Sequence, residues 1–312
     1  MCNGIVLGLR FSHTVLDRTG AGTLLKVFAL CCRGLPAAEL PTNAEKENAS
    51  RDMILHATLP DNRRRDHDEE YTIDPLAFEM LVDVRTRDSA LKETCSAILH
   101  ERGIDPMWVS SNDVFTAFLA VSISQAQISM NRPPKESDIV MAVNLRNKLQ
   151  PSVPGGYLEN MVTVMRTGFN PRLCHCNQVD DERKSRIAQL ALKVRARLTS
   201  CDDDHVRSLI LYVKDQNDWS TVNMKFSGMM SIASWRHLKA CGLDFGSGFG
   251  SVRFDVPTVG APDGLCIFMP RQAKAESDSL HDVPWDRYLS LDSAVMDALI
   301  QDPFFRSALA EI

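Results

Sequence analysis

The chain opens on a short apolar run, Gly4-Ile-Val-Leu-Gly-Leu-Arg-Phe11, preceded by only three residues. Such a run reads as a buried strand, and the two glycines inside it suggest close backbone approach by a neighbour. A strand needs partners for its N–H and C=O groups. Those partners must come from later in the chain, from another molecule, or from sequence that is absent. After the run come His13 and the polar stretch Asp17-Arg-Thr-Gly20, and then Thr23–Cys32, which is dense in good helix formers. The order is strand, polar turn, helix, with a histidine where a rigid element meets a loop.

Between about Pro36 and Glu70 the composition changes. Prolines at 36, 41 and 60, the polar run Asn43–Asp52 and the mixed-charge block Asn62–Glu70 predict a surface linker that buries no face. Periodic segments resume beyond it. Ser110–Asp113 offers capping groups ahead of an apolar helix over Val114–Gln127. Ile139–Val143, Met161–Met165 and Leu265–Met269 read as strands, the first two separated by the turn region Pro151–Gly156. In Glu182–Leu198, Ile187, Leu190, Ala191, Val194 and Leu198 repeat at helical spacing opposite Arg183, Arg186, Lys193 and Arg197, which predicts an amphipathic helix with a solvated basic face. Leu243–Pro257 is glycine-rich with a strand-like end, and Ser293–Leu309 is helical in character. Strands and helices mix without strict alternation and without an internal repeat, so the fold class is α/β (α+β mixed) in two units. The division falls at residues 1–35, a crossover over 36–70, and 71–312.

Composition narrows the function classes. With 312 residues, 44% of them hydrophobic, the chain is long enough to bury a sizeable core. A net charge of −5 supplies no basic field for a polyanion, which argues against nucleic acid as a partner. No apolar stretch approaches the ~20 residues of a membrane span, and Arg10, His13 and Asp17 interrupt the start where a signal peptide is uniformly apolar. The nine cysteines are scattered, the usage of a reducing, cytoplasmic compartment.

His13 is the first candidate for chemistry. Imidazole, with an ordinary pKa of about 6.5, can take a proton from a hydroxyl or amine at neutral pH. Alone, H-x-x-x-D over His13 and Asp17 fits a core histidine bonded to backbone better, since five-residue patterns recur by chance. Much further on stands Leu243-Asp-Phe-Gly-Ser-Gly248, a carboxylate in a glycine-rich turn. The two motifs in this order and at this separation resemble the BAHD family of acyl-CoA-dependent acyltransferases, in particular its fungal branch of trichothecene acetyltransferase-like proteins. Further segments are similar to family patterns: Ser110–Phe118 to the S-T-N-D-x-x-x-A-F helix start, Ala142-Val-Asn-Leu-Arg146 with Pro151–Gly156, Tyr157 and Asn160 to V-N-x-R … P-x-x-P-x-x-Y-x-G-N, and Ser234-Trp235 and Asp302–Phe305 to later stretches. The resemblance runs from Gly4 to Leu309.

The resemblance implies a chloramphenicol-acetyltransferase-like two-domain fold whose N-terminal domain is incomplete here, represented by residues 1–35 with the H-x-x-x-D motif. It implies acyl transfer, acetyl transfer first, from an acyl-CoA co-substrate to a hydroxyl of a specialised metabolite, with His13 as general base, no covalent intermediate, and no permanently bound cofactor or metal. Asp17 would turn away from substrate and pair with an arginine, for which Arg146 is the candidate. Asp244, with Gly246 and Gly248, would anchor a loop. A monomer, without a membrane partner, is the matching expectation. The sequence departs from the pattern at Arg18 and Glu159, both where the family has glycine, and at Ser247, where it has tryptophan. A second reading is a catalytically impaired, truncated remnant of such an enzyme. A carrier-protein-dependent condensation enzyme fits less well, since Ser12 precedes His13 and Arg18 follows Asp17.

The remaining signals have plainer readings. Gly20-Ala-Gly22 reads as a helix-packing feature rather than a phosphate site, Cys31-Cys32 as two buried thiols, and His205 beside Asp202–Asp204 as a solvated helix cap. Cys174-His-Cys176 sits too close together for one tetrahedral metal. The arginines at 63–65, balanced by Asp66, Asp68, Glu69 and Glu70, read as solvated linker.

Overall fold

Ser110 and Asp113 start the central helix of the protein as a reciprocal capping box. The Ser110 hydroxyl accepts from the Asp113 N–H at 3.2 Å, while the Asp113 carboxylate accepts from the Ser110 N–H at 2.7 Å. The structure, a computed structural model, describes residues 5–10, 12, 13, 15–65, 67, 81–86, 89–104, 108–132, 138–171, 180–218, 222, 228–248, 252–255, 261–270 and 285–308. In chain order these form α1 (Arg18–Cys32), α2 (Ala44–Leu55), β1 (Leu81–Thr86), α3 (Ser89–Glu101), α4 (Ser111–Ser129), β2 (Asp138–Asn144), β3 (Val162–Gly168), α5 (Asp180–Thr199), α6 (Asp203–Lys214), β4 (Met230–Ser234), β5 (Leu265–Phe268), β6 (Trp285–Ser290), α7 (Ser293–Gln301) and α8 (Pro303–Ser307).

The six strands make one mixed sheet in the order β1-β6-β5-β4-β2-β3. Strand β4 runs parallel to both β2 and β5, and the remaining pairings are antiparallel. Helix α4 is apolar around most of its circumference, with Val114 through Ser124 all buried, as expected of a helix enclosed on several sides. It packs with α5, α7 and Phe305 against Ile139 and Met141 of β2, Met230 and Ile232 of β4, Phe268 of β5 and Leu289 of β6. A second core, around Val143, Leu149, Tyr157, Met165, Val206 and Leu209, joins α6 to the β2–β3 end of the sheet. No helix among the described residues is long and apolar enough to cross a membrane.

Several sequence expectations change. Residues 5–10 belong to no strand and are exposed, Val6 almost completely, because no described strand lies alongside to pair with them. The stretch over 36–65 does bury a face. Asn43 caps α2 by accepting from the Lys46 N–H at 2.9 Å, and Glu47 and Ser50 are buried on the inner side of that helix. Arg183 does not lie on a solvated face. It is 6% exposed and donates from Nη1 to both oxygens of Asp302, at 2.9 and 2.7 Å, because Asp302 caps α8 directly opposite the start of α5.

His205 is buried rather than solvated, its ring edge-on to His67 with centroids 4.8 Å apart. The preceding arginines hold that contact in place: Arg63, Arg64 and Arg65 pair with Asp204, Asp215 and Asp202 around α6 instead of standing free in solvent. Cys31 and Cys32 are exposed, since they fall on the outer side of the last turn of α1. Residues 252–255 form no strand. Cys174-His-Cys176 lies outside the described residues.

Candidate active site: the His13 turn

Asp17 is the N-cap of α1, with extended backbone and a carboxylate that accepts from the Gly20 N–H at 2.9 Å. The same carboxylate is the partner of Arg146, which follows β2 directly. Arg146 Nη1 donates to Asp17 Oδ2 at 2.7 Å and Nη2 to Oδ1 at 3.1 Å, a two-pronged pair with both side chains about 5% exposed or less. The Met161 N–H adds a fourth bond to Asp17, at 2.8 Å. The rest of the guanidinium is committed as well, to the Tyr157 and Glu159 carbonyls and the Asn144 side chain. A buried pair of charges is tolerable when every remaining donor and acceptor is matched in this way.

The 157–161 strip and the His13 turn are tied together at main-chain level. Leu16 and Glu159 form an antiparallel bridge, the Asn160 N–H donates to the Val15 carbonyl at 3.2 Å, and the Asn160 side-chain amide donates to the His13 carbonyl at 2.7 Å. The turn closes on itself through the Val15 N–H to the Ser12 carbonyl, 3.1 Å. His13 is thus fixed through its backbone, and the residue is exposed to solvent. Gly20 makes this approach possible. A Cβ there would overlap the Leu158 carbonyl oxygen, so the helix start and the strip can touch only through glycine.

Arg18, the bulky cation in a position where the resembled pattern has glycine, begins α1 and donates to the Ser234 carbonyl at the end of β4. Burial lowers its pKa from the ordinary arginine value, with the neighbouring Asp17 carboxylate working in the opposite direction. Along its length α1 lies against the segment after β4: Gly22 faces the Leu238 side chain, the Phe28 and Phe245 rings meet edge-on at 6.0 Å, and Arg33 reaches Asp244 at 3.4 Å. Asp244 itself is exposed and turns back to accept from the Gly246 N–H at 2.8 Å. Gly246 and Gly248 hold φ values of 101° and 105°, a conformation that favours glycine.

The structure therefore gathers His13, Asp17 and Arg146 in one cluster, and it sets Asp244, Gly246 and Gly248 at the other end of α1. Fifteen helical residues at about 1.5 Å each separate the two groups by roughly 22 Å. Sequence reasoning gave no role to Glu47 and Arg51, which reach this cluster from α2. Their only signal was Asn43 followed by the helix formers Ala44, Glu45, Lys46 and Glu47. Among the described residues, no group of three His, Cys, Asp or Glu side chains is placed to hold a metal ion.

A family model described as Transferase family matches residues 1–303. The chain belongs to that family, the BAHD acyltransferases. Similar proteins include the fumigaclavine B O-acetyltransferase of Aspergillus fumigatus, 30% identical across all of this chain and 71% of the relative, and the communesin N16 acyltransferase of Penicillium expansum, 30% identical over 99% of this chain and 70% of the relative. Among solved structures, TRI101 of F. sporotrichioides, crystallised with coenzyme A and T-2, is similar with a TM-score of 0.72 and 18% identity. This BAHD chain covers 64% of that TRI101 chain, and 95% of its own residues take part in the match. Vinorine synthase has the same fold, at a TM-score of 0.60.

Proposed function

We propose that the protein is an acyl-CoA-dependent O-acyltransferase, an acetyltransferase in the first instance, acting on a hydroxyl of a specialised metabolite. The observation that carries this reading is the division of labour in the His13 turn. Asp17 is spent on Arg146 and on backbone N–H groups, while the neighbouring histidine is held at its carbonyl by the Asn160 amide and is exposed to solvent. Family membership and the fungal O-acetyltransferase relatives support the reaction class.

In this mechanism the His13 imidazole takes the proton of the acceptor hydroxyl as its oxygen attacks the thioester carbonyl of the acyl-CoA. The tetrahedral adduct collapses with cleavage of the C–S bond, the ester leaves, and the CoA thiolate recovers the proton from the imidazolium. No enzyme-bound acyl group is needed. The protein's contribution is to hold both substrates against one base, and general-base assistance of this kind contributes about 10²–10⁴-fold. Acyl-CoA serves as co-substrate and no permanent cofactor is required. Residues 36–70 belong to the same proposal as the crossover between a first unit, residues 1–35, and a second, residues 71–312.

The test is release of free CoA thiol from acetyl-CoA with a panel of hydroxylated terpenoids and alkaloids. His13→Ala is expected to lower turnover by about 10²–10⁴-fold. Equal turnover in the variant and the parent removes His13 from the chemistry. A parent chain that releases no thiol with any acyl donor favours the impaired-remnant reading.

A further inference from the structure

The strip that holds His13 is itself held from the far side by α2. Arg51 of α2 donates from Nε to Glu159 Oε1 at 2.7 Å, and its Nη1 donates to Asn48 Oδ1 one turn earlier, so the guanidinium is oriented from within the helix. The second Glu159 oxygen accepts from the largely buried Tyr157 hydroxyl at 2.7 Å. Four residues before Arg51, Glu47 accepts the Leu158 N–H with both oxygens, at 3.2 and 3.1 Å, and also takes the Thr42 hydroxyl. The backbone of Glu159 then bridges Leu16 and receives Arg146, and the next residue, Asn160, holds the His13 carbonyl. An unbroken path of bonds runs from Arg51 through Glu159 to the His13 turn.

We infer that Glu159 is a positioning residue for His13, acting through the 157–160 strip to couple the turn to α2. This rests on the transferase reading for its catalytic consequence but not for its structural one. Glycine, which the resembled family pattern places at this position, has no carboxylate to receive Arg51 or Tyr157. The Arg51 bond holds the Glu159 carboxyl below the usual carboxylate range.

The experiment compares the parent with Glu159→Ala, Glu159→Gln and Arg51→Ala by amide hydrogen exchange and by steady-state kinetics. The expected result in Glu159→Ala and Arg51→Ala is exchange about two- to fivefold faster over residues 12–17 and 157–161, the scale of a partly exposed ion pair, with β2 and β5 unchanged. Glu159→Gln, which can still pair with the Tyr157 hydroxyl, is expected to restore part of the protection. In turnover, kcat falls by a similar factor while KM for acyl-CoA stays within about twofold. The double variant is expected to cost no more than the larger single one, since both break the same link.

Unchanged exchange over residues 12–17 in both single variants overturns the inference, as does a fall in melting temperature with exchange accelerated uniformly across the sheet. Should Glu159→Ala fail to fold, Arg51→Ala decides, its side chain being 44% exposed and away from the cores. If the parent shows no turnover, the transferase reading fails while the exchange measurement still decides the coupling.

Discussion

Arg146 and Asp17 lie 129 residues apart in sequence and meet as a buried, two-pronged ion pair, at 2.7 and 3.1 Å. The pair joins the residue after β2 to the cap of α1, and Tyr157, Glu159 and Met161 all bond to one or other partner.

Arg146→Ala would leave the Asp17 carboxylate buried without its counter-charge. Truncating one member of a buried pair costs about 3–5 kcal/mol, a large share of a domain's stability. We expect a loss of that size in urea denaturation, and nearly the same loss at low and high salt, because a buried pair is little screened. Arg146→Lys is expected to recover only part of it, since an ammonium group cannot reproduce the fork that also serves the Tyr157 and Glu159 carbonyls. Full stability in Arg146→Ala would mean that the pair is not what fixes the turn.

At Gly20 the prediction is steric. Alanine normally improves a helix by about 1 kcal/mol over glycine, yet here its Cβ would enter the Leu158 carbonyl oxygen, and main chain must move to admit it. Gly20→Ala is therefore expected to destabilise by about 1–3 kcal/mol or more. Gly8→Ala, with nothing within 4 Å of its Cβ, is expected to stay within about 0.5 kcal/mol. Thermal melts of the two variants side by side make the comparison, and equal melting temperatures would contradict it.

The thiols should divide sharply. Burial pushes Cys95 and Cys266 up to about 12, against an ordinary thiol value of 9.0, whereas Cys31 and Cys32 are exposed. A thiol reagent at pH 8 is expected to modify Cys31 and Cys32 at once and to reach Cys95 and Cys266 only after denaturation. Between pH 9 and 12 the unfolded chain releases protons from these two thiols that the folded chain retains. Their contribution to stability is therefore full below pH 9 and is lost as pH rises toward 12. Denaturation midpoints across that range are expected to fall, and to fall less in Cys266→Ser if the variant keeps its fold.

The sequence made the helix-and-sheet core legible because its signals are local. Ser110 and Asp113 announce α4, the apolar pentad Ile139–Val143 announces β2, and the spacing from Ile187 to Leu198 announces α5. What it concealed depends on distant partners. Arg183 looks like any surface arginine until Asp302, 119 residues later, caps α8 beside it. His205 looks like a solvated cap residue until His67 folds over it. Helix α2 was hidden for a different reason: it buries Glu47 and Ser50 rather than an apolar stripe, so hydrophobic periodicity carries no trace of it. In the His13 turn, the pairing of Asp17 with Arg146 was implied by the family resemblance, whereas Glu47, Arg51 and Glu159 gained their places only from the way α2 docks.

Helix α1 has a consequence for insertions and deletions. Asp17 stands at one end of it and Arg33, the contact of Asp244, at the other. Each added residue would rotate the far end by about 100° and advance it by about 1.5 Å. A single insertion would thus swing Arg33 and Phe28 off the glycine-rich loop while leaving the His13 turn untouched. Seen this way, the spacing of Asp17 and Arg33 along α1 is a phase as well as a length.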